Sequence, residues 1–312
     1  MKKFILALAA MVLTAGLISA QDMAQATELA KNGNDALGAQ NYTEALNYFQ
    51  QALDMAIQLE GDEAAALVEQ CKGIIPNIAL EIAKDLIKDK KYEEAASKID
   101  EVKKIAEEYE VFDVYDTADK FLPQIWKMKA NDAFSIKDYA AAVESFEKAY
   151  AIDTTDAKTA ITIGQLYSQL GNNEKALEAL QHAAWNGQEA QAKKLMSNVF
   201  LKEAQAALKG NKLAECINAA KKVNEIAENA NAYKLMASAS QKLGKTSQAI
   251  ESYEKYLELN PSAQDANGIY FTIAALYQGQ KNKAKAIEFY KKVANDAKYG
   301  ASAKQQISAL SK

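Results

Sequence analysis

His182 is the only histidine, and Cys71 and Cys216 are the only cysteines, in a chain of 312 residues. Three such residues, widely separated, do not compose a zinc site of the usual kind. A serine triad would have to use His182, and no Gly-x-Ser-x-Gly elbow accompanies it. Gly244, Lys245 and Thr246 spell the end of a phosphate-binding loop, but Ala239 stands where that loop needs its first glycine. Ser145 with Lys148, and Ser252 with Lys255, repeat the Ser-x-x-Lys spacing of penicillin-interacting enzymes without the companion motifs. The carboxylates Asp89, Glu93 and Glu94 sit among Lys88, Lys90 and Lys91, which reads as a solvated helix face. These residues predict no enzyme, no cofactor and no metal site.

The apparent motifs have another origin, because the chain repeats itself. Tyr42, Ala45, Phe49 and Ala52 return as Tyr92, Ala95, Ile99 and Val102, and again as Tyr139, Ala142, Phe146 and Ala149. Weaker copies centre on Ala176, Cys216, Ala249 and Ala286. When the small central residue is counted as position 20, both Ser-x-x-Lys pairs fall on positions 23 to 26. Gly244-Lys245-Thr246 falls on the turn before the second helix of its unit. A unit this small cannot bury its own apolar face and must stack on its neighbours.

Composition supports helices. Apolar residues make up 49 %, with only 3 prolines and 13 glycines, and Ala, Leu, Glu, Lys and Gln dominate. All 37 basic residues are lysine, and the formal charge is −4. Lack of arginine removes the residue suited to a bidentate grip on phosphate. With an acidic balance, that argues against nucleic acid and against an anionic-lipid surface site.

The N-terminus reads as an export signal. Lys2 and Lys3 precede a mostly apolar run from Phe4 to Ala20, which ends in Ile18, Ser19 and Ala20. Cleavage is expected after Ala20, leaving a periplasmic or secreted protein with no stable membrane anchor and a formal charge of −6, since residues 1–20 carry two lysines. Cys71 and Cys216 belong to distant repeats, so two buried, reduced thiols are expected instead of a disulfide.

Within each unit, small residues at positions 8 and 20 predict a close crossing of two antiparallel helices, and large residues at 4, 11 and 24 fill the space between hairpins. The turn is expected near positions 14–17, where Gly, Asn or Asp would supply a left-handed residue. Successive central residues lie 50, 47, 34, 40, 33 and 37 apart. The first two intervals predict elongated hairpins through residues 62–75 and 112–122, with a kink or a helix start at Pro76 and Pro123.

This pattern resembles the tetratricopeptide repeat family over about residues 26–296. The resemblance implies an all-α, right-handed superhelical solenoid of antiparallel helix hairpins, with elongated hairpins in the N-terminal half. It divides the chain into residues 21–155 with three extended repeats, 156–296 with four regular ones, and 297–312 as a capping helix. It also implies a protein–protein interaction scaffold of the bacterial envelope that holds a peptide or protein partner in a groove lined by first helices. The positions the family uses are Lys127, Asn131, Phe134, Lys158, Gln165, Asn198, Lys234 and Gln241. Lys127 and Asn131 match the first pair of a carboxylate clamp found in one branch of the family, whereas Thr162 replaces its next asparagine. The alternative is a module that binds glycan or cell wall through exposed aromatic rings.

Overall fold

A computed structural model describes residues 2–312, with side chains from Ala20 onward. The expected signal segment, residues 1–20, therefore lies outside the described side chains except for Ala20. The fold is all-α, with no strand among the described residues. Seven helix hairpins follow one another and a last helix closes the series. They are α1 (Lys2–Gly38) with α2 (Tyr42–Ala56), α3 (Asp62–Lys88) with α4 (Tyr92–Glu108), and α5 (Phe112–Ser135) with α6 (Tyr139–Ile152). Then come α7 (Ala157–Leu170) with α8 (Asn173–Ala183), α9 (Glu189–Lys209) with α10 (Leu213–Ile226), α11 (Ala230–Lys242) with α12 (Thr246–Leu259), and α13 (Ala266–Gly279) with α14 (Lys283–Lys292). The last helix is α15 (Gly300–Leu310). The chain forms two compact units, Met1–Thr155 and Asp156–Lys312.

The hairpins close in the same way throughout. One residue in each turn takes a left-handed backbone: Gln40, Lys90, Lys137, Gly171, Asn211, Gly244 and Lys281. The amide of the following residue donates back to a carbonyl five residues earlier, as from Lys91 to Leu86 and from Asn172 to Tyr167, both at 2.9 Å. This closure satisfies carbonyls that the helix end leaves open. In the Asp89-Lys90 and Lys137-Asp138 turns the left-handed residue is the lysine, not the aspartate.

Positions 8 and 20 are where the helices cross. Ala45, Ala95, Ala142, Ala176, Cys216, Ala249 and Ala286 are all completely buried. A Cβ added to Gly164 would meet Leu180 Cγ at 2.6 Å and the Ala176 carbonyl oxygen at 3.1 Å, and one added to Gly33 would meet the Phe49 ring at 2.8 Å. Large residues at position 24, including Phe49, Ile99, Leu180 and Tyr290, are buried between the helices.

In the first unit, α3 and α5 run for 27 and 24 residues. Pro76 and Pro123 lie inside these helices and start no new one. A proline loses one helical hydrogen bond, while both rings are buried, and the Asn77 side chain donates to the Gly73 carbonyl at 2.9 Å beside Pro76. Polar ties fasten α5: Lys90 meets Asp132 at 2.8 Å, and the Tyr92 hydroxyl donates to the same carboxylate at 2.8 Å. Desolvation, then this bond to Asp132, pushes the Tyr92 hydroxyl up to about 12. Lys129 pairs with Glu93, and Lys103 with Asp119.

The second unit departs from the expected regularity at its second hairpin. Between α8 and α9 the chain makes one wide turn, Ala184–Gln188, with Asn186 and Gly187 outside helical geometry. The helix α9 that follows has 21 residues. At the far end Ala303 is buried, and Ile307 and Leu310 pack partly against the core of α11–α14. Cys71 in the first unit and Cys216 in the second are both free and buried, and burial pushes the Cys71 thiol up to about 11.

Candidate functional site

One cleft of the second unit lies between two first helices. On α7, residues Gln165, Ser168 and Gln169 are three and four apart, so they share one face. On α9, Leu195, Asn198, Lys202 and Gln205 follow the same rule. These two faces border a cleft of about 600 Å³, with Gly164, Leu180 and Val199 in its wall. Gly164 lets α7 sit close on α8, with the buried Leu180 side chain packed against it.

The chemistry of the cleft is amide-rich. Gln165, Gln169, Asn198 and Gln205 are exposed, and none has a side-chain partner among the described residues. Each offers both a donor and an acceptor, which suits the alternating groups of an extended peptide backbone. Lys202 supplies the positive charge, with only a 3.5 Å hydrogen bond to Ser168 Oγ and no ion pair among the described residues. Ser168 and Lys202 also border a second hollow of about 830 Å³, whose rim includes Glu203, Lys212, Glu215 and Lys222. There Lys212 pairs with Glu215 at 3.2 Å, and Asn173 donates to Glu203 at 3.0 Å.

Of the eight residues named from sequence, Gln165 and Asn198 share this cleft. Lys158 is exposed in the first turn of α7, and its backbone amide donates to the capping Asp156 at 3.0 Å. Lys234 is tied to Asp265 at 2.6 Å and lies over the Tyr256 ring. Desolvation raises the Asp265 carboxyl, but hydrogen bonds from Lys234 and Tyr256 outweigh it and hold the group below its ordinary value. Gln241 accepts from the Tyr253 hydroxyl at 2.9 Å. Lys127, Asn131 and Phe134 belong to α5 of the first unit, where Phe134 is 48 % exposed and meets Tyr139 edge-on at 5.6 Å.

The apparent catalytic motifs resolve into repeat structure. Gly244 is the left-handed turn residue of its hairpin, at φ 72°. Ser145 is buried and donates to the Ala141 carbonyl at 2.9 Å. His182 stacks on Trp185 with ring centroids 5.4 Å apart. Lys202 is not among the eight residues named from sequence, although with Asn198 it stands where the carboxylate-clamp branch of the family has its last two basic residues.

Models of the tetratricopeptide repeat match residues 31–70, 133–199, 230–262 and 268–295, together just over half of the chain. The chain belongs to the tetratricopeptide repeat family. The matched stretches leave out residues 71–132 and 200–229, which hold much of the off-period second, third and fifth hairpins. Among solved structures, the chain is similar to MamA (residue 41 to the end) from Desulfovibrio magneticus RS-1 at 15% identity and TM-score 0.34, covering 56% of this chain and 97% of that one. It is similar to the P58(IPK) tetratricopeptide domain at 16% identity and TM-score 0.29, covering 92% and 97%. A thermophilic tetratricopeptide protein of Thermus thermophilus matches at 18% identity and TM-score 0.26, covering 60% and 98%. Likeness at this level carries no argument about partners. No curated protein matches the sequence.

Proposed function

We propose that this tetratricopeptide repeat protein is a non-catalytic scaffold of the bacterial cell envelope that holds an extended peptide or protein segment. Proteins of the family generally mediate protein–protein contacts. The observation that carries the reading is the α7–α9 cleft: four amide side chains without internal partners, one lysine without an ion pair, and the half-buried Leu195 beside them. Such a site gives main-chain hydrogen bonds and a shallow apolar seat, and it lacks a group poised for acid–base or nucleophilic work. Lys127, Asn131 and Phe134 on α5, with Lys158, Lys234 and Gln241 in the second unit, are proposed as secondary contacts. The envelope location rests on Lys2, Lys3 and the apolar run to Ala20. Among the described residues no helix is long and apolar enough to cross a membrane.

Crosslinking in intact cells tests the site. Replacing Gln165, Asn198 and Lys202 by alanine should reduce captured protein at least about tenfold, the loss of roughly 1.4 kcal/mol or more, with helical content unchanged. Undiminished capture would remove the cleft from the mechanism. The intact mass of the exported protein tests the location, because a chain still carrying residues 1–20 contradicts it.

A further inference from the structure

Trp185 is placed unlike the other large aromatic residues of its unit. Tyr167, Tyr253 and Tyr290 occupy packing positions and are buried, whereas Trp185 lies nine residues past Ala176 and is 73 % exposed. The wide turn of residues 184–188 carries it outward, helped by Gly187 at φ 89°. The ring is nevertheless held. It stacks on His182 at an interplanar angle of 32°, and the Asn186 side chain donates to the His182 carbonyl at 3.0 Å across the same turn. A Cβ at Gly187 would meet nothing within 4 Å, so the space beside the turn is open. Trp185 borders neither cleft described above.

We propose that Trp185 is a stacking platform for a neutral pyranose ring. The surroundings select this occupant over a protein. A tryptophan that anchors a protein partner sits within a ring of contacts that excludes water. Here the flanking side chains are amides: Asn186, Gln188, and Gln181, which lies four residues before Trp185 on α8. Gln181 and Gln188 have no side-chain partner among the described residues. One face of a pyranose is a set of C–H groups that fits an aromatic surface, and its rim of hydroxyls both donates and accepts, as amides do. A charged sugar would call for a cation, and the nearest lysine in sequence, Lys193, is already paired with Glu189 at 2.6 Å.

The probes are a β-linked glucose tetramer and an N-acetylglucosamine tetramer, titrated into the full mature chain. The chain has two tryptophans, and Trp185→Phe assigns their two indole N–H signals in an NMR spectrum. One tetramer should shift the Trp185 signal and leave Trp126 still, with a Kd of about 1 mM. Trp185→Ala should weaken binding at least about tenfold, and Gln181→Ala with Gln188→Ala about fivefold. Circular dichroism confirms that each variant is folded. The proposal fails if neither tetramer moves the Trp185 signal at about 10 mM. It also fails if a folded Trp185→Ala variant binds the tetramer as before, or if that variant instead loses the protein captured in cells.

Discussion

In both units the residues beyond a standard hairpin lengthen first helices: α3 and α5 in the first unit and, after the wide turn at 184–188, α9 in the second, with 21 residues against 14 in α7. The extension of α3 puts Leu67, Cys71 and Ile75 into the core, and that of α5 puts Val114 and Ala118 there. None of residues 184–188 is buried, and of residues 189–195 only Ala192 is. The added chain is therefore largely core in the first unit and largely surface in the second. Apolar spacing of four decides which: Leu67, Cys71 and Ile75 line one stripe of a helix, and Ala184, Trp185, Asn186, Gly187 and Gln188 offer no stripe.

Substitutions can break or sharpen this contrast. Ile75→Ala should cost about 3 kcal/mol in chemical denaturation, whereas Trp185→Ala should stay within about 0.5 kcal/mol. Equal costs would end the distinction between core and surface extensions. Gly164→Ala should cost about 2 kcal/mol, because its Cβ meets both a packed side chain and a backbone oxygen. It should lower the unfolding midpoint of the second unit alone; one common shift would mean that the units unfold together.

Tyr92→Phe should cost about 1.5 kcal/mol at neutral pH, by removing the bond to Asp132. The folded hydroxyl is raised to about 12 from an ordinary value of about 10. Its contribution is therefore complete below about pH 10 and lost as the pH rises towards 12. The wild-type protein should lose stability over that window faster than the variant, and parallel curves would show that Tyr92 does not ionise on unfolding. The smallest effects concern the turns. Gly171→Ala should cost about 1 kcal/mol, and Lys90→Gly should add about 0.5 kcal/mol, since both positions have a positive φ. Thermal midpoints of the two variants should move in opposite directions.

The crossing residues at positions 8 and 20 were readable in the sequence because close packing imposes a residue type, and the place of each turn was readable from the fixed repeat register. Gly164 with Ala176 and Gly33 with Ala45 illustrate this. Gln40, Lys90, Lys137 and Lys281 were not foreseen in the left-handed role, since the five-residue backbone closure overrides a side-chain preference of only about 1 kcal/mol. The interval of 40 between Ala176 and Cys216 signalled extra chain, but spacing alone does not say whether that chain extends a helix or bends. The pairing of Gln165 with Asn198 was only partly legible. Each is a first-helix surface residue by pattern, but which of them face a common space depends on how α9 is set after the wide turn.

The left-handed residue and its backward hydrogen bond recur inside every hairpin, and once more between α4 and α5 at Glu110 and Val111, while the irregular lengths fall in first helices and at the joins and not in the hairpin turns. Closure is thus a short-range event that each pair of helices completes from its own few turn residues. The chain tolerates variation at its seams and not at its stitches. A lineage of such proteins could lengthen or shorten a first helix without relearning how a hairpin closes, and new surfaces such as the Trp185 turn would arise at the joints, where the fold asks least of the sequence.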